Sequence, residues 1–209
     1  FRTVLALGLT MVVARALALG TDPFDRLALT DNDDILRYVS LTAWLDGQGW
    51  YDMVLSRMMP PEGLDLHWSR YVDLGVALLI WPLSLFMPEN SAHGAALVIW
   101  PTVLLCALVW ITAQAGRRIA GPLAGLGAVL GVVLWPLTGS AYFAPVRVDH
   151  HNVQILLTTL VVISLLDTRR PGRAGLLGGL AAGLSLAVGL EMLLALALAN
   201  EAWLNLRPR

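Results

Sequence analysis

RVDHHN, residues 147–152, sets Asp149, His150 and His151 side by side between two apolar stretches. Carboxylates and imidazoles are the side chains that ligate divalent ions and carry protons. Upstream, DNDD at 31–34 offers Asp31, Asp33 and Asp34. A hard divalent ion takes carboxylate oxygens, and an imidazole tilts the choice toward Mn²⁺ or Zn²⁺ while leaving Mg²⁺ open. Asp149 and His151, two positions apart, both face one ion if their loop is extended. A plainer reading competes: acids at a helix start act as caps, and histidines at an interface are simply solvated.

A third polar segment, YDMVLSRMMPPEGLDLHWSRYVDL, contains His67, Trp68 and Arg70. Arg70 and His67 are of the types that hold an anion near a membrane surface, and the tryptophan belongs at the interface. The plainer reading is an aromatic anchor among ordinary loop charges. Arg37 follows DNDD on the same predicted helix and is spaced to salt-bridge back to its aspartates.

The elements that must position these groups are apolar. The chain of 209 residues is 57% hydrophobic and 14% charged, where a soluble domain carries about 25% charge. The apolar residues come in long blocks, which predicts an all-α polytopic membrane protein. A net charge of −1 gives no reason to expect a nucleic-acid partner. The one cysteine, Cys106, excludes a disulfide within the chain and reads as a packing residue.

Three regions follow. Residues 1–20 predict a first transmembrane helix, an uncleaved signal anchor whose Arg15 snorkels toward the far interface. Residues 21–91 form an outer loop. It contains one helix in DNDDILRYVSLTAWLDGQGW, capped by Thr30 or Asp31 and stopped by Gly47 and Gly49. Ile35, Leu36, Val39 and Ala43 give that helix an apolar face for the membrane or the bundle. LGVALLIWPLSLFM (74–87) is too short to cross and suits a juxtamembrane helix. Residues 92–209 predict a transmembrane bundle with spans at 92–115, 122–137 and 153–166. The apolar stretch 174–206 would be about 50 Å as one helix, so it should break near Gly189 and Glu191. With 74–87 on one side, Arg2, Arg117–Arg118, Arg169–Arg173 and Arg207–Arg209 all fall on the cytoplasmic face. DNDD and RVDHHN then share the other face. The start at Phe1 and the close in LNLRPR after an apolar block suggest the front part of a longer protein.

Taken in order, DNDDILR, GQGWYD, PPEGLDLHWSRYVD, a span ending GRR, GPLAGLGAVL and the outer-face DHH resemble a known family. It is the membrane module of GT-C glycosyltransferases, above all the catalytic subunit of oligosaccharyltransferase in archaeal and bacterial forms. The resemblance covers residues 1 to about 200. It implies a GT-C-like helical bundle with a long first outer loop carrying juxtamembrane helices. By the same resemblance Asp31 binds the metal at the reaction centre, and Asp149 and His151 complete that site as the first and third positions of DHH. Asp31 and Asp149 are then catalytic, and Arg70, His67 and Arg37 lie toward the donor. The implied activity moves a sugar or glycan from a polyprenyl-phosphate carrier to an acceptor on the outer face, with Mg²⁺ or Mn²⁺ as cofactor. Membrane lipid, the lipid-linked donor and membrane protein partners are the expected company. The expected location is a bacterial inner (plasma) membrane, multi-pass, with the active face periplasmic or extracellular. Two features depart from the family. Asn32 follows Asp31 where Pro is more usual, and the acceptor-reading motif WWDYG does not occur in this sequence.

Two other readings stand beside this one. A non-catalytic membrane subunit would keep the fold and pack in a larger complex through GLLGGLAAGL (175–184). A transporter would use Arg15 and Glu191 along a path, although no inverted repeat is visible.

Overall fold

The computed structural model describes residues 2–19, 29, 31–135, 141–167 and 170–206. The helices are α1 (Arg2–Leu19), α2 (Asn32–Leu45), α3 (Tyr71–Leu83), α4 (Glu89–Ala120), α5 (Pro122–Leu134), α6 (His151–Leu166), α7 (Pro171–Val188) and α8 (Leu193–Leu206). A small antiparallel hairpin, β1 (Val54–Leu55) and β2 (Leu64–Asp65), pairs Val54 with Asp65 and Leu55 with Leu64. The fold is therefore all-helical, apart from that hairpin.

Local chemistry explains several boundaries. Asp31 caps α2 by accepting from the Asp33 amide at 3.0 Å. Gly47, at φ 106°, ends that helix in the left-handed conformation, its amide bonding Trp44 O. Gly121, at φ 86°, reverses the chain between α4 and α5, and Pro122 opens α5 at a position where its missing N–H costs nothing. Pro171 opens α7 in the same way.

The α1, α4 and α5 helices share one apolar core built on Val12, Leu105, Leu108, Val109 and Val129. Gly8 faces Val109 and Val129, whereas Val12, Arg15 and Ala16 lie beside Thr102 and Leu105. Hence α1 and α4 run antiparallel. The α6–α7 pair is likewise antiparallel: Gly178 meets Ser164 at one level, and Gly189 meets Gln154 at the other. Arg118 pairs with Asp167 at 3.7 Å, so the end of α4 and the end of α6 lie together. This register gathers Arg2, Arg117, Arg118 and Arg170 at one end of the bundle and DNDD, RVDHHN and Glu191 at the other. Arg169 and 207–209 lie outside the described residues, as does Thr30.

Among the described residues one helix, Glu89–Ala120, is long and apolar enough to cross a membrane by length and composition. Leu5–Ala18, Tyr71–Leu83, Pro122–Leu134 and His151–Leu166 are shorter apolar helices. The 74–87 segment is helical only to Leu83, about 20 Å, and packs along the first half of α4. The stretch 174–206 does break, with α7 ending at Val188 and α8 beginning at Leu193.

Of the two placements expected for the apolar face of α2, on the membrane or on the bundle, the bundle is not the one found. The face of α2 turned to the protein contains Asp34, Arg37, Ser40 and Leu41, while Ile35 and Val39 are exposed. The polar groups go inside because each finds a charged or hydrogen-bonded partner there, which removes the penalty for burying them.

Candidate metal centre

The site assembles at the end of the bundle away from the arginines, where α2, the 141–150 loop, α6 and the α7–α8 break meet. Asp34 is fully buried. Its Oδ1 accepts the Val148 and Asp149 amides at 2.8 and 2.9 Å, and its Oδ2 accepts from Arg147 Nη1 at 2.8 Å. Arg147 Nη1 also pairs with Asp31 at 2.8 Å. One carboxylate on α2 thus clamps the backbone that displays DHH, more than 110 residues downstream. Burial pushes the Asp34 carboxyl up to about 6, against the pull of Arg147 and of the two amides.

Asp149, His150 and His151 each offer a ligand atom, all within 4.8 Å of one another. His151 Nδ1 sits on Asp149 Oδ2. His150 Nδ1 is 2.5 Å from Asp149 Oδ1, yet it has no hydrogen-bond partner there and is buried. Burial would raise the Asp149 carboxyl, but the two imidazoles beside it win and hold it well below the usual carboxylate range. On the far side of His150, Nε2 is 3.2 Å from Glu191 Oε1, and Glu191 Oε2 accepts from Gln154 Nε2 at 2.7 Å. The His150 ring also packs on buried Trp68, with centroids 5.6 Å apart.

The donor set suits a divalent cation. Asp31, Asp33, Asp149 and Glu191 all exert negative charge on this small volume, with Arg147 against them. A mixed carboxylate–imidazole set fits Mn²⁺, Zn²⁺ or Mg²⁺.

The residues singled out from the sequence divide into three groups. Asp149 and His151 are together in the cluster. Asp31 lies at its edge, held by Arg147 and with its side chain 43% exposed. Arg37 and Arg70 turn away into the interior, contrary to the expectation that they face an anion. Arg37 donates to Ser69 O at 3.0 Å and Asp73 Oδ1 at 3.2 Å, with its guanidinium 4.6 Å over the Trp68 ring. Arg70 donates through Nη1 and Nη2 to Ser40, Asp73, Gln48 Oε1 and Asp52 O at 2.6–3.1 Å. Asp73, fully buried, is what draws both arginines inward. Trp68 is likewise in a core cluster with Met53, Leu55 and Leu66, and is not an interfacial anchor. His67 stays exposed beside it.

The sequence offered His150 and Asp34 among the candidate ligands, but neither entered the set of Asp31, Asp149 and His151, and Arg147 and Gln154 had no site role. For Arg147 the only available signal was its place next to DHH. Glu191 was noticed as a charge in an apolar block, which is the signal that belongs to it. Comparison with protein-family models, with curated proteins and with solved structures finds no match to this chain.

Proposed function

We propose that this protein is a polytopic membrane glycosyltransferase, metal-dependent, that takes a sugar from a polyprenyl-phosphate carrier at the outer face. The observation that carries the reading is the Asp149–His150–His151 cluster, set in an acidic pocket at one end of an apolar bundle.

The position of that pocket supports a lipid-borne donor. In α4 the stretch from Pro101 to Ala120 spans about 30 Å at 1.5 Å per residue, the thickness of a hydrocarbon core. Val146 N bonds Leu97 O at 3.0 Å, so the loop leading into DHH sits one turn beyond that stretch. Around the bundle Leu17, Leu123, Leu176, Leu180 and Leu194 are each more than 60% exposed. So much outward apolar surface suits acyl chains and not water. The arginine-bearing end then faces the cytoplasm, and the pocket meets a phosphate whose tail stays in lipid.

In the reaction the bond between the anomeric carbon and the phosphate oxygen breaks, and the electron pair leaves with the phosphate. The acceptor forms the new bond, and its proton passes to a carboxylate. Asp31, the part-exposed acid at the rim, is placed to take it. Asp149, His150 and His151 would hold a divalent cation, which supplies neutralisation of the charge developing on the leaving phosphate. His67, exposed next to Trp68, would meet the donor.

The test is turnover of a polyprenyl-phosphate-linked sugar by the protein in lipid vesicles. Turnover in Mn²⁺ should stop in EDTA and in Asp149→Ala. Turnover that persists in chelator would reject the reading.

A further inference from the structure

We propose that His150 binds the divalent cation through Nδ1, and that Glu191 is the positioning residue that fixes the ring in the tautomer this requires. The proposal rests on the reading of the cluster as a metal centre. It assigns the nitrogen through which the middle position of DHH would bind and gives a purpose to the break between α7 and α8.

The two nitrogens of the His150 ring face different partners. A neutral imidazole has one N–H and one lone pair, and the partner of the first decides where the second points. His150 Nε2 stands 3.2 Å from Glu191 Oε1, and a carboxylate can only accept. Glu191 therefore keeps a proton on Nε2, and Nδ1, which faces Asp149 Oδ1, is the nitrogen at which a cation would take the place of a proton. That nitrogen is the buried atom without a hydrogen bond, although Asp149 Oδ1 is 2.5 Å away. His151 Nδ1 approaches the other oxygen of the same carboxylate, so all three ligand atoms converge on one spot.

Glu191 is itself held. Gln154, one turn along α6 from His150, donates to Glu191 Oε2 at 2.7 Å. Gly189 makes the space: a Cβ there would fall 2.2 Å from Glu191 Oε2 and 2.9 Å from Gln154 Nε2. The Gly189 backbone is extended, at φ −179°, a conformation open to any residue. The glycine thus leaves room for the carboxylate in this position and is not called for by its own torsion. Trp68 against the ring restrains it further. A carboxylate behind a ligating histidine is the usual means of setting tautomer and orientation at a metal, and losing it costs ten- to a hundredfold in affinity.

Two measurements on the protein in detergent micelles decide this. The first is the ¹⁵N spectrum of the histidines without metal, which separates the two tautomers. The wild type should show His150 protonated on Nε2. The second is Mn²⁺ affinity by electron paramagnetic resonance. Glu191→Ala should weaken Mn²⁺ binding about ten- to a hundredfold. Glu191→Gln, which keeps an acceptor oxygen, should fall between it and the wild type, and melting curves should match. A His150 ring without a proton on Nε2, or a Glu191→Ala affinity within twofold of wild type, overturns the proposal. Should Glu191→Ala fail to fold, the wild-type tautomer and Glu191→Gln decide alone. Glu191-dependent Mn²⁺ binding without sugar transfer would sink the glycosyltransferase reading only. Mn²⁺-dependent transfer indifferent to Glu191 would sink this proposal only.

Discussion

Replacing Asp34 with alanine should unlatch the loop that displays DHH. The substitution strands two buried amides, those of Val148 and Asp149, bonded at 2.8 and 2.9 Å. Each unsatisfied buried donor costs about 1–3 kcal/mol. It also removes one of two carboxylates on Arg147 Nη1, the other being Asp31 at 2.8 Å. Losing the partner of a buried charge costs about 3–5 kcal/mol, reduced here because Asp31 remains. The combined loss is about 3–5 kcal/mol, a large share of a typical unfolding free energy of about 5–15 kcal/mol. Asp34→Asn keeps one oxygen for the amides but turns an amide N–H₂ toward Arg147 in place of the second oxygen, so about 1–2 kcal/mol is expected near neutral pH. Equilibrium unfolding in mixed micelles, followed by tryptophan fluorescence, reads both. Stability of Asp34→Ala within about 1 kcal/mol of wild type would refute the clamp.

Further expectations follow from neighbouring contacts. Asp73→Ala leaves Arg37 and Arg70 buried without their carboxylate and should cost about 3–5 kcal/mol in the same assay, while His67→Ala, on the exposed loop, should change stability by less than about 0.5 kcal/mol. Gly75→Ala places a Cβ 2.2 Å from the Trp100 ring; it should destabilise by about 1–3 kcal/mol, and Trp100→Leu should relieve part of that loss in the double variant. Asp34 stands at about 6 in the fold against an ordinary 3.8, so the fold favours its protonated form. Its contribution is complete below about pH 4 and is lost as pH rises through 6, by about 3 kcal/mol for a shift of about two pKa units. The stability gap between wild type and Asp34→Asn should narrow from pH 4 to pH 7, and a flat gap would contradict the assignment.

Apolar blocks and punctuation carried most of the legible architecture. Gly47 and Asp31 bound α2, and the overlong 174–206 stretch splits where Gly189 interrupts it. The sharing of one end by DNDD and DHH followed from counting crossings between arginine clusters. The orientation of α2 did not follow, because hydrophobic periodicity weighs Ile35 and Val39 and is blind to pairing across the chain. Asp34 and Arg37 are buried through partners 114 and 36 residues away, Val148 and Asp73. For the same reason Arg70 read as an anion binder: Asp73, its partner three residues on, was taken as a loop charge. The role of Glu191 needed the register of α6 against α7, which sequence spacing alone does not contain.

The central claim is that Asp149, His150 and His151 hold one divalent ion. Crystals of the protein soaked in Mn²⁺ and measured at a wavelength with anomalous manganese scattering test it directly. The account predicts a single anomalous peak within bonding distance of Asp149, His150 Nδ1 and His151, absent in Asp149→Ala. A cluster with no peak under saturating Mn²⁺, or a peak that survives Asp149→Ala, would contradict it.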